Sequence, residues 1–285
     1  MSTMQDSVFR SVLYMPSSNA RALEKAQALP ADAIIFDLED AVAPDAKETA
    51  RQQAVDAVTS GAYGNRFLTV RGNGLDTPWG AADLEAAAAA GPGAIVVPKV
   101  SGPRHLEKVA AITGDTPIWA MIETPSALFE IREIAAFGVV SAFVLGTNDL
   151  VKELRAAMVP GRGPLLPHLA TALAGAREAG IVALDGVYND VRDADGFRAE
   201  CLQGKELGFD GKTLIHPSQV QVANEVWAPT DDEVASAREV IAAFAEAERD
   251  GRGVVTVNGR MVENLHRDIA QRTLDTADAI AALSS

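Results

Sequence analysis

Short apolar runs alternate along the chain with longer stretches in which alanine and charged residues recur at helical spacing. Runs such as Ile34-Ile35-Phe36 contain no alternating polar positions, which is typical of strands that are buried on both faces. On this pattern, strands begin near residues 10, 33, 67, 94, 117, 139, 181 and 212. The helices between them are predicted at 19–29, 44–59, 83–90, 104–112, 126–136, 165–179 and 194–207.

The repeat of strand and helix predicts an α/β fold with a parallel sheet, and eight such units favour closure into a TIM (β/α)8 barrel. An open doubly wound sheet is the alternative. It is weakened because no Gly-rich nucleotide-binding motif follows a predicted strand. We therefore expect a barrel over residues 1–216 that carries the catalytic mouth.

Residues 217–285 have a different pattern and are predicted to form a C-terminal helical extension with a short hairpin. This extension covers the barrel floor or contacts a neighbouring subunit. Its predicted elements are a helix at 231–249 capped by Thr230 and Glu233, a hairpin at 254–262 with a type I′ turn at Asn258-Gly259, and a helix at 263–283.

The charge balance of the chain excludes some partners. Its 285 residues include 25 Lys+Arg and 39 Asp+Glu, which gives a formal net charge of −14. This balance argues against non-specific nucleic-acid binding, which needs a basic surface, although a local basic cluster can still hold a small anion. No segment approaches the ~18 apolar residues of a membrane helix, so we expect a cytoplasmic protein with no membrane partner. A single cysteine, Cys201, excludes an intrachain disulfide framework.

Titratable residues follow seven of the eight predicted strands, at the end where TIM barrels place their chemistry. Glu123 and Asp149 follow adjacent strands, and two carboxylates without Cys or His partners indicate Mg²⁺, with Mn²⁺ second. The alternative for each is a helix cap or a surface carboxylate. Arg71 suits capture of a carboxylate or oxyanion, or an ion pair with Glu39 or Asp40.

Two further strand-end residues have alternative interpretations. Lys99 could form a Schiff base, although a pairing role is favoured beside a metal site. His216 precedes Pro217, and this order favours a hydrogen bond at a helix start over a role as a base.

The motifs that carry this chemistry occur in one order over nearly the whole chain. They are LYMPSS at 13–18, FDLEDAV at 36–42, VRGN at 70–73, VPK at 97–99, IET at 122–124, LGTNDL at 145–150, LDGV at 184–187 and IHPSQ at 215–219. In these motifs the chain resembles the citrate lyase beta-subunit-like family of CoA-ester lyases, within the HpcH/HpaI aldolase superfamily. Members that act on malyl-CoA and related thioesters are the most similar.

The resemblance implies a TIM barrel, a Mg²⁺ ion on Glu123 and Asp149, and a homotrimer or hexamer. It implies catalytic roles for Arg71, Glu39, Asp40 and Glu263, the last entering the site of a neighbouring subunit. The implied substrate-binding residues are Tyr14, Arg21, Lys25, Arg71, Glu123, Asn148 and Asp185. Around Glu263 the chain departs from the family pattern, because Glu replaces Asp and no proline follows.

We therefore expect a Mg²⁺-dependent enzyme on a 3-hydroxyacyl-CoA thioester of malyl-CoA type. Two outcomes stay open: retro-aldol cleavage to acetyl-CoA and glyoxylate, or hydrolysis to malate and CoA. One alternative is a class II aldolase that acts on free 2-keto acids without CoA. The two functions are distinguished by whether Arg21, Lys25 and Lys47 form a basic rim for the phosphates of CoA. The other alternative is a non-catalytic binding subunit with the same fold.

Overall fold

In the computed structural model, which describes residues 7–249, 255–257 and 259–283, eight parallel strands close into a barrel. Each strand pairs with the next along the chain, and the last pairs with the first through Ser11 and Lys212. The strands are β1 Ser11–Pro16, β2 Ala33–Asp37, β3 Phe67–Arg71, β4 Ala94–Val97, β5 Ile118–Ile122, β6 Val140–Leu145, β7 Val182–Asp185 and β8 Gly211–Leu214. The predicted TIM barrel is confirmed.

Helices follow the strands and cover the outside of the barrel, where a large apolar cluster lies between the two layers. These helices are α1 Ala20–Ala26, α2 Lys47–Thr59, α3 Gly80–Ala90, α4 Pro103–Thr113, α5 Pro125–Phe129, α6 Ile131–Ala135, α7 Thr147–Leu154, α8 Leu166–Ala179, α9 Ala194–Leu207 and α10 Val220–Trp227. Short 3₁₀ turns lie at Pro44–Ala46, Pro160–Arg162 and Pro217–Gln219.

Three helices differ from the sequence-based predictions. The helix expected at 126–136 is broken at Glu130 into α5 and α6. Helix α7 was not predicted, and it carries Asn148 and Asp149 in its first turn. Helix α10 was also not predicted; it packs on β1, β8 and α9.

The chain divides into two compact units, 1–227 and 228–285. The division therefore falls after Trp227, whereas the sequence pattern placed it after residue 216. The cause is α10, whose Val220, Ala223 and Val226 side chains are buried in the barrel unit.

A second apolar cluster fills the barrel interior and closes its amino-terminal end. Phe67 and Trp119 stack there with ring centroids 5.4 Å apart, and Phe9 contacts both rings edge-on at 5.2 Å. Above them, alternate strand residues such as Ala33 and Ile35 of β2 and Ala142 and Val144 of β6 point inward, as the two-residue period of a strand requires. The next inward positions therefore open at the carboxyl-terminal mouth.

The C-terminal unit contains two long helices and a hairpin. They are α11 Asp231–Arg249, β9 Val255–Val257, β10 Arg260–Val262 and α12 Asn264–Leu283. Strands β9 and β10 pair antiparallel, which confirms the hairpin, whereas Asn258 of its predicted turn lies outside the described residues. The predicted cap is present, because Thr230 and Glu233 exchange side-chain to backbone hydrogen bonds at 2.7 and 3.1 Å. None of the described helices is long and apolar enough to span a membrane.

Candidate active site

The two-residue period of the strands selects the side chains that reach the barrel mouth. Ala33 and Ile35 of β2 point inward, so Asp37 at the end of this strand also does. The same spacing from Trp119 and Met121 of β5 turns Glu123 inward. Asp37 and Glu123 line a cavity of about 300 Å³ together with Tyr14, Asp40, Arg71, Asn148 and Asp149. The structure thus gathers most of the predicted site residues in one cavity.

Arg71 is the central cation of this cavity and is 7% exposed. Its Nε and Nη2 atoms donate to both oxygens of Asp37 at 2.6 and 2.8 Å, and its Nη1 atom is 2.9 Å from Glu39 Oε2. Asp40 Oδ2 is farther from Nη1, at 3.4 Å, and its side chain is 69% exposed. The Arg71 Cζ atom lies over the Tyr14 ring, 4.8 Å from its centroid. Arg71 is therefore held in one orientation from two sides.

Asp37 is a residue of this cavity that the sequence pattern does not predict as part of the site. It is 1% exposed and makes the bidentate contact that orients Arg71, while its oxygens also accept the backbone N–H groups of Glu39 and Ala41 at 2.9 and 3.1 Å. Its inward position at the end of β2, in register with Arg71 of β3, is the signal that could have identified it.

Glu39 is enclosed between two cations, with Arg71 on one oxygen and Lys99 Nζ 3.6 Å from the other. Burial raises the pKa of Glu39 to about 7, against the opposing effect of Arg71. A carboxyl group with a pKa near neutrality can exchange a proton at physiological pH, as a general acid or base must.

Glu123 is fixed by its neighbours and is 2% exposed. The backbone N–H of Lys99 donates to its Oε1 atom at 2.6 Å. Gly146 packs against the same carboxylate so closely that a Cβ atom at this position would overlap it. Burial raises the pKa of Glu123 to about 7, and the charges of Glu39 and Asp149 add to this effect.

Helix α7 brings Asn148 and Asp149 to the same cavity. Asn148 exchanges two hydrogen bonds with Asn189, at 3.1 and 2.7 Å, so its amide is already engaged by the loop after β7. Asp149 lies in the first helical turn, where the helix dipole favours a negative charge.

The donor set of this mouth fits a divalent cation. Among the described residues, no three His, Cys, Asp or Glu side chains are grouped as a metal site. Mg²⁺, however, commonly takes only one or two carboxylates and fills its other positions with water and substrate oxygens. The cavity and its rim bring five carboxylates near two cations: Asp37, Glu39, Asp40, Glu123 and Asp149 against Arg71 and Lys99. An added positive charge would relieve this imbalance.

Lys99 does not have the environment of a Schiff-base lysine. Burial alone would lower its pKa, but the carboxylates of Glu39, Asp149 and Glu123 outweigh this effect and raise the pKa above its ordinary value. An amine that must attack a carbonyl needs the opposite shift. His216 caps the 3₁₀ turn at Pro217–Gln219, which confirms its predicted role at a helix start.

Two of the candidate residues do not lie at the cavity or on an exposed rim in the structure. Asp185 is fully buried, and its oxygens are bound by Arg162 Nη1 at 2.7 Å and Lys212 Nζ at 2.8 Å. It is thus part of a closed ion-pair cluster and does not line the cavity. Lys47 is also buried. Its ammonium group donates to Leu38 O, Glu39 O and Asn73 Oδ1 at 2.7–2.8 Å. It cannot belong to a basic rim.

The remaining predicted residues lie on exposed surfaces. Arg21 and Lys25 are one helical turn apart on α1, which follows β1 at the mouth side, and both are exposed. Glu263 is exposed in the C-terminal unit and directly precedes α12, where its backbone N–H donates to His266 Nδ1 at 3.0 Å. A closed (β/α)8 barrel whose mouth gathers ionisable side chains in this way is the architecture of a TIM-barrel enzyme.

Comparison with known proteins identifies the family within this class. The HpcH/HpaI aldolase/citrate lyase family matches residues 10–217, and the C–C bond lyases of the TIM-barrel fold match residues 162–281. The chain belongs to the HpcH/HpaI aldolase/citrate lyase family.

Individual relatives cover nearly the whole chain. A (3S)-malyl-CoA thioesterase of Cereibacter sphaeroides is 54% identical over 274 residues, which is 96% of each chain. Citrate lyase subunit beta of Escherichia coli is 38% identical and covers 94% of this chain and 93% of its own. The crystal structure of CitE from Mycobacterium tuberculosis with magnesium, acetoacetate and coenzyme A has a TM-score of 0.80 at 29% identity, over 96% of this chain and 99% of that one.

Proposed function

We propose that this protein is a Mg²⁺-dependent enzyme that hydrolyses a 3-hydroxyacyl-CoA thioester of malyl-CoA type to malate and CoA. The observation that carries the proposal is the placement of Arg71, Glu123 and Asp149 around one cavity at the barrel mouth. The extensive similarity to (3S)-malyl-CoA thioesterases supports this substrate class and outcome.

In this proposal Glu123 and Asp149 hold the metal ion. When bound, Mg²⁺ supplies a template for substrate oxygens and polarises the thioester carbonyl. Lys99 N–H fixes one oxygen of Glu123, and Gly146 leaves room for this carboxylate. Mn²⁺ is proposed as a substitute because it accepts the same oxygen ligands.

Glu39 is the proposed general base, because its pKa of about 7 allows it to take a proton from water near neutrality. The water oxygen bonds to the thioester carbonyl carbon, and Arg71 stabilises the negative charge that develops on the carbonyl oxygen. The carbon–sulfur bond then breaks, and the CoA sulfur takes up the proton. Asp40 and Asp37 keep Arg71 oriented throughout.

Retro-aldol cleavage is the second candidate function, favoured by the C–C bond lyase family that matches residues 162–281. Here Glu39 would take the proton of the 3-hydroxyl group, the carbon–carbon bond would break to release glyoxylate, and Arg71 would stabilise the enolate of acetyl-CoA. Glu263 from a neighbouring subunit would return a proton to the enolate carbon.

We propose that exposed Arg21 and Lys25 of α1 contact the phosphates of CoA, and that Tyr14 and Asn148 contact the acyl end from inside the cavity. A homotrimer or hexamer in the cytoplasm is proposed as the working form. Glu263 would then complete the site of a neighbouring subunit.

The decisive experiment is mass spectrometry of products from malyl-CoA with Mg²⁺. Malate with free CoA supports hydrolysis, whereas glyoxylate with acetyl-CoA supports cleavage. Turnover of free 2-keto acids in place of the thioester would instead support a class II aldolase. If the chelated and Mg²⁺-loaded proteins are equally inactive on every substrate, the proposal of an enzyme fails in favour of a binding subunit.

The role of Glu263 is tested by mixing Glu263→Gln with Asp149→Asn at a Mg²⁺ concentration at which each variant alone is inactive. In an oligomer with shared sites, some mixed sites receive both intact carboxylates, so activity returns on co-refolding. A mixture that stays inactive after hetero-oligomers have been demonstrated would contradict the shared site.

A further inference from the structure

Lys99 adopts a backbone conformation that is unusual for its residue type. Its φ angle is 51°, in the left-handed region that non-glycine residues seldom occupy. This conformation places its N–H 2.6 Å from Glu123 Oε1. Because the left-handed conformation is unfavourable for a residue with a side chain, it persists only where surrounding contacts require it, and such residues cluster at functional sites.

The side chain of the same residue reaches the carboxylates of the mouth. Its Nζ atom lies 3.6 Å from Glu39 Oε1, while half of the side chain, 53%, is exposed. It also lies in the electrostatic field of Asp149, Glu123 and Asp40. One residue thus contacts a proposed metal ligand through its backbone and a proposed base through its ammonium group.

We propose that Lys99 is a positioning residue of the metal site: its left-handed backbone fixes Glu123, and its ammonium group is a tethered counter-ion that weakens binding of the divalent cation. The inference rests on the proposed function for its assignment of Glu123 and Asp149 as ligands. The counter-ion partly neutralises the carboxylates before the metal arrives, and it repels the incoming divalent charge. The metal is consequently held less tightly and exchanges more readily than the carboxylates alone would allow.

Two neutral substitutions separate the role of the ammonium group from the role of the backbone, because they should differ in their affinity for the cation. Lys99→Met removes the charge and tolerates the same backbone, so it should bind the cation about three- to tenfold more tightly, as expected for one partly exposed charge. Lys99→Val removes the same charge, but its branched side chain disfavours a positive φ angle. It should bind the cation at least threefold more weakly than Lys99→Met, because Glu123 loses its anchor.

The measurement is a titration of the full-length protein with Mn²⁺, followed by electron paramagnetic resonance without any thioester. Lys99→Arg keeps the positive charge and should retain the wild-type affinity for Mn²⁺. The control Lys108→Met, on the exposed face of α4, should also leave this affinity unchanged. If Lys99→Met binds Mn²⁺ no more tightly than the wild type, the counter-ion role is wrong. If Lys99→Val equals Lys99→Met, the backbone role is wrong.

Failure of the proposed function would be visible separately. A protein that shows this order of Mn²⁺ affinities but does not turn over malyl-CoA retains the role of Lys99 and loses the proposed substrate. A protein that turns over malyl-CoA with identical Mn²⁺ affinities in all variants loses only the role of Lys99. Absence of Mn²⁺ binding in the wild type would overturn the metal site and the role of Lys99 together.

Discussion

Replacement of Arg71 by lysine separates recognition by a guanidinium from recognition by a positive charge. Lysine keeps the charge but has neither the planar fork that contacts both Asp37 oxygens at 2.6 and 2.8 Å nor the stacking surface over Tyr14. We expect Arg71→Lys to remain folded and to lose most of its activity on malyl-CoA.

The magnitude follows from the contacts that are lost. A charge-assisted hydrogen bond contributes about 1.5–3 kcal/mol, so loss of one of the two to Asp37 should lower the free energy of unfolding by about 2 kcal/mol. Loss of a donor that stabilises an oxyanion typically costs ~10²–10³-fold in rate. We therefore expect kcat/KM to fall by about two to three orders of magnitude.

Arg10 provides a matched control at the opposite end of the barrel. Its Nε and Nη2 atoms contact both oxygens of buried Asp32 at 2.9 and 2.8 Å, in the same bidentate geometry. Arg10→Lys should thus lose similar stability in urea titrations, while its rate of thiol release from malyl-CoA stays within a few-fold of the wild type. If Arg71→Lys keeps more than about a tenth of the wild-type rate, or if both variants lose rate equally, the oxyanion role of Arg71 is refuted.

Three further predictions concern the metal, the pH profile and the barrel wall. Asp149→Asn should raise the Mg²⁺ concentration for half-maximal activity at least about tenfold; wild-type activity that survives EDTA would contradict a metal site. Because burial raises the pKa of Glu39 to about 7, kcat/KM should fall as the pH drops below about 7, and Glu39→Gln should remove this dependence along with most of the rate; an unchanged profile would exclude Glu39 as the base. Burial opposes ionisation of Asp185, but Lys212 and Arg162 outweigh it and lower the pKa of this carboxyl group. The ionised Asp185 therefore stabilises the folded state fully above its unfolded pKa of ~3.9, and this stabilisation is lost as the pH falls through the lower folded pKa. Asp185→Asn should accordingly lower the free energy of unfolding by about 3–5 kcal/mol at pH 7 and have no such effect in acid. The exposed control Glu225→Gln should lower it much less, and equal losses in the two variants would contradict the buried cluster.

Strand positions could be predicted from the sequence because the barrel buries both faces of each strand. An uninterrupted run such as Ile34-Ile35-Phe36 is incompatible with an exposed face, and it lies in β2 as expected. Helix α10 could not be predicted in this way, since Val220, Val222 and Val226 have low helix propensity. Its burial against the barrel outweighs this preference.

The candidate site was predictable to the extent that strand ends determine it. The two-residue period identifies which strand-end side chains point inward, and Glu123 and Arg71 follow from it. The strand-end position and the family motif place Asp185 among the predicted substrate-binding residues, and Lys47 is a candidate for a basic rim. In the structure each is buried with opposite charges or carbonyl oxygens as partners, and no local pattern in the sequence reveals those distant partners.

The three hydrogen bonds of Lys47 determine how much order the active-site loop has before any ligand arrives. Two of them are to the main-chain oxygens of Leu38 and Glu39, so the segment that carries the proposed base is anchored from behind. Association normally costs about 0.5–1.5 kcal/mol for each side chain that it immobilises. Because Lys47 already fixes the backbone at Leu38 and Glu39, less ordering of this loop is left to be imposed when a ligand binds.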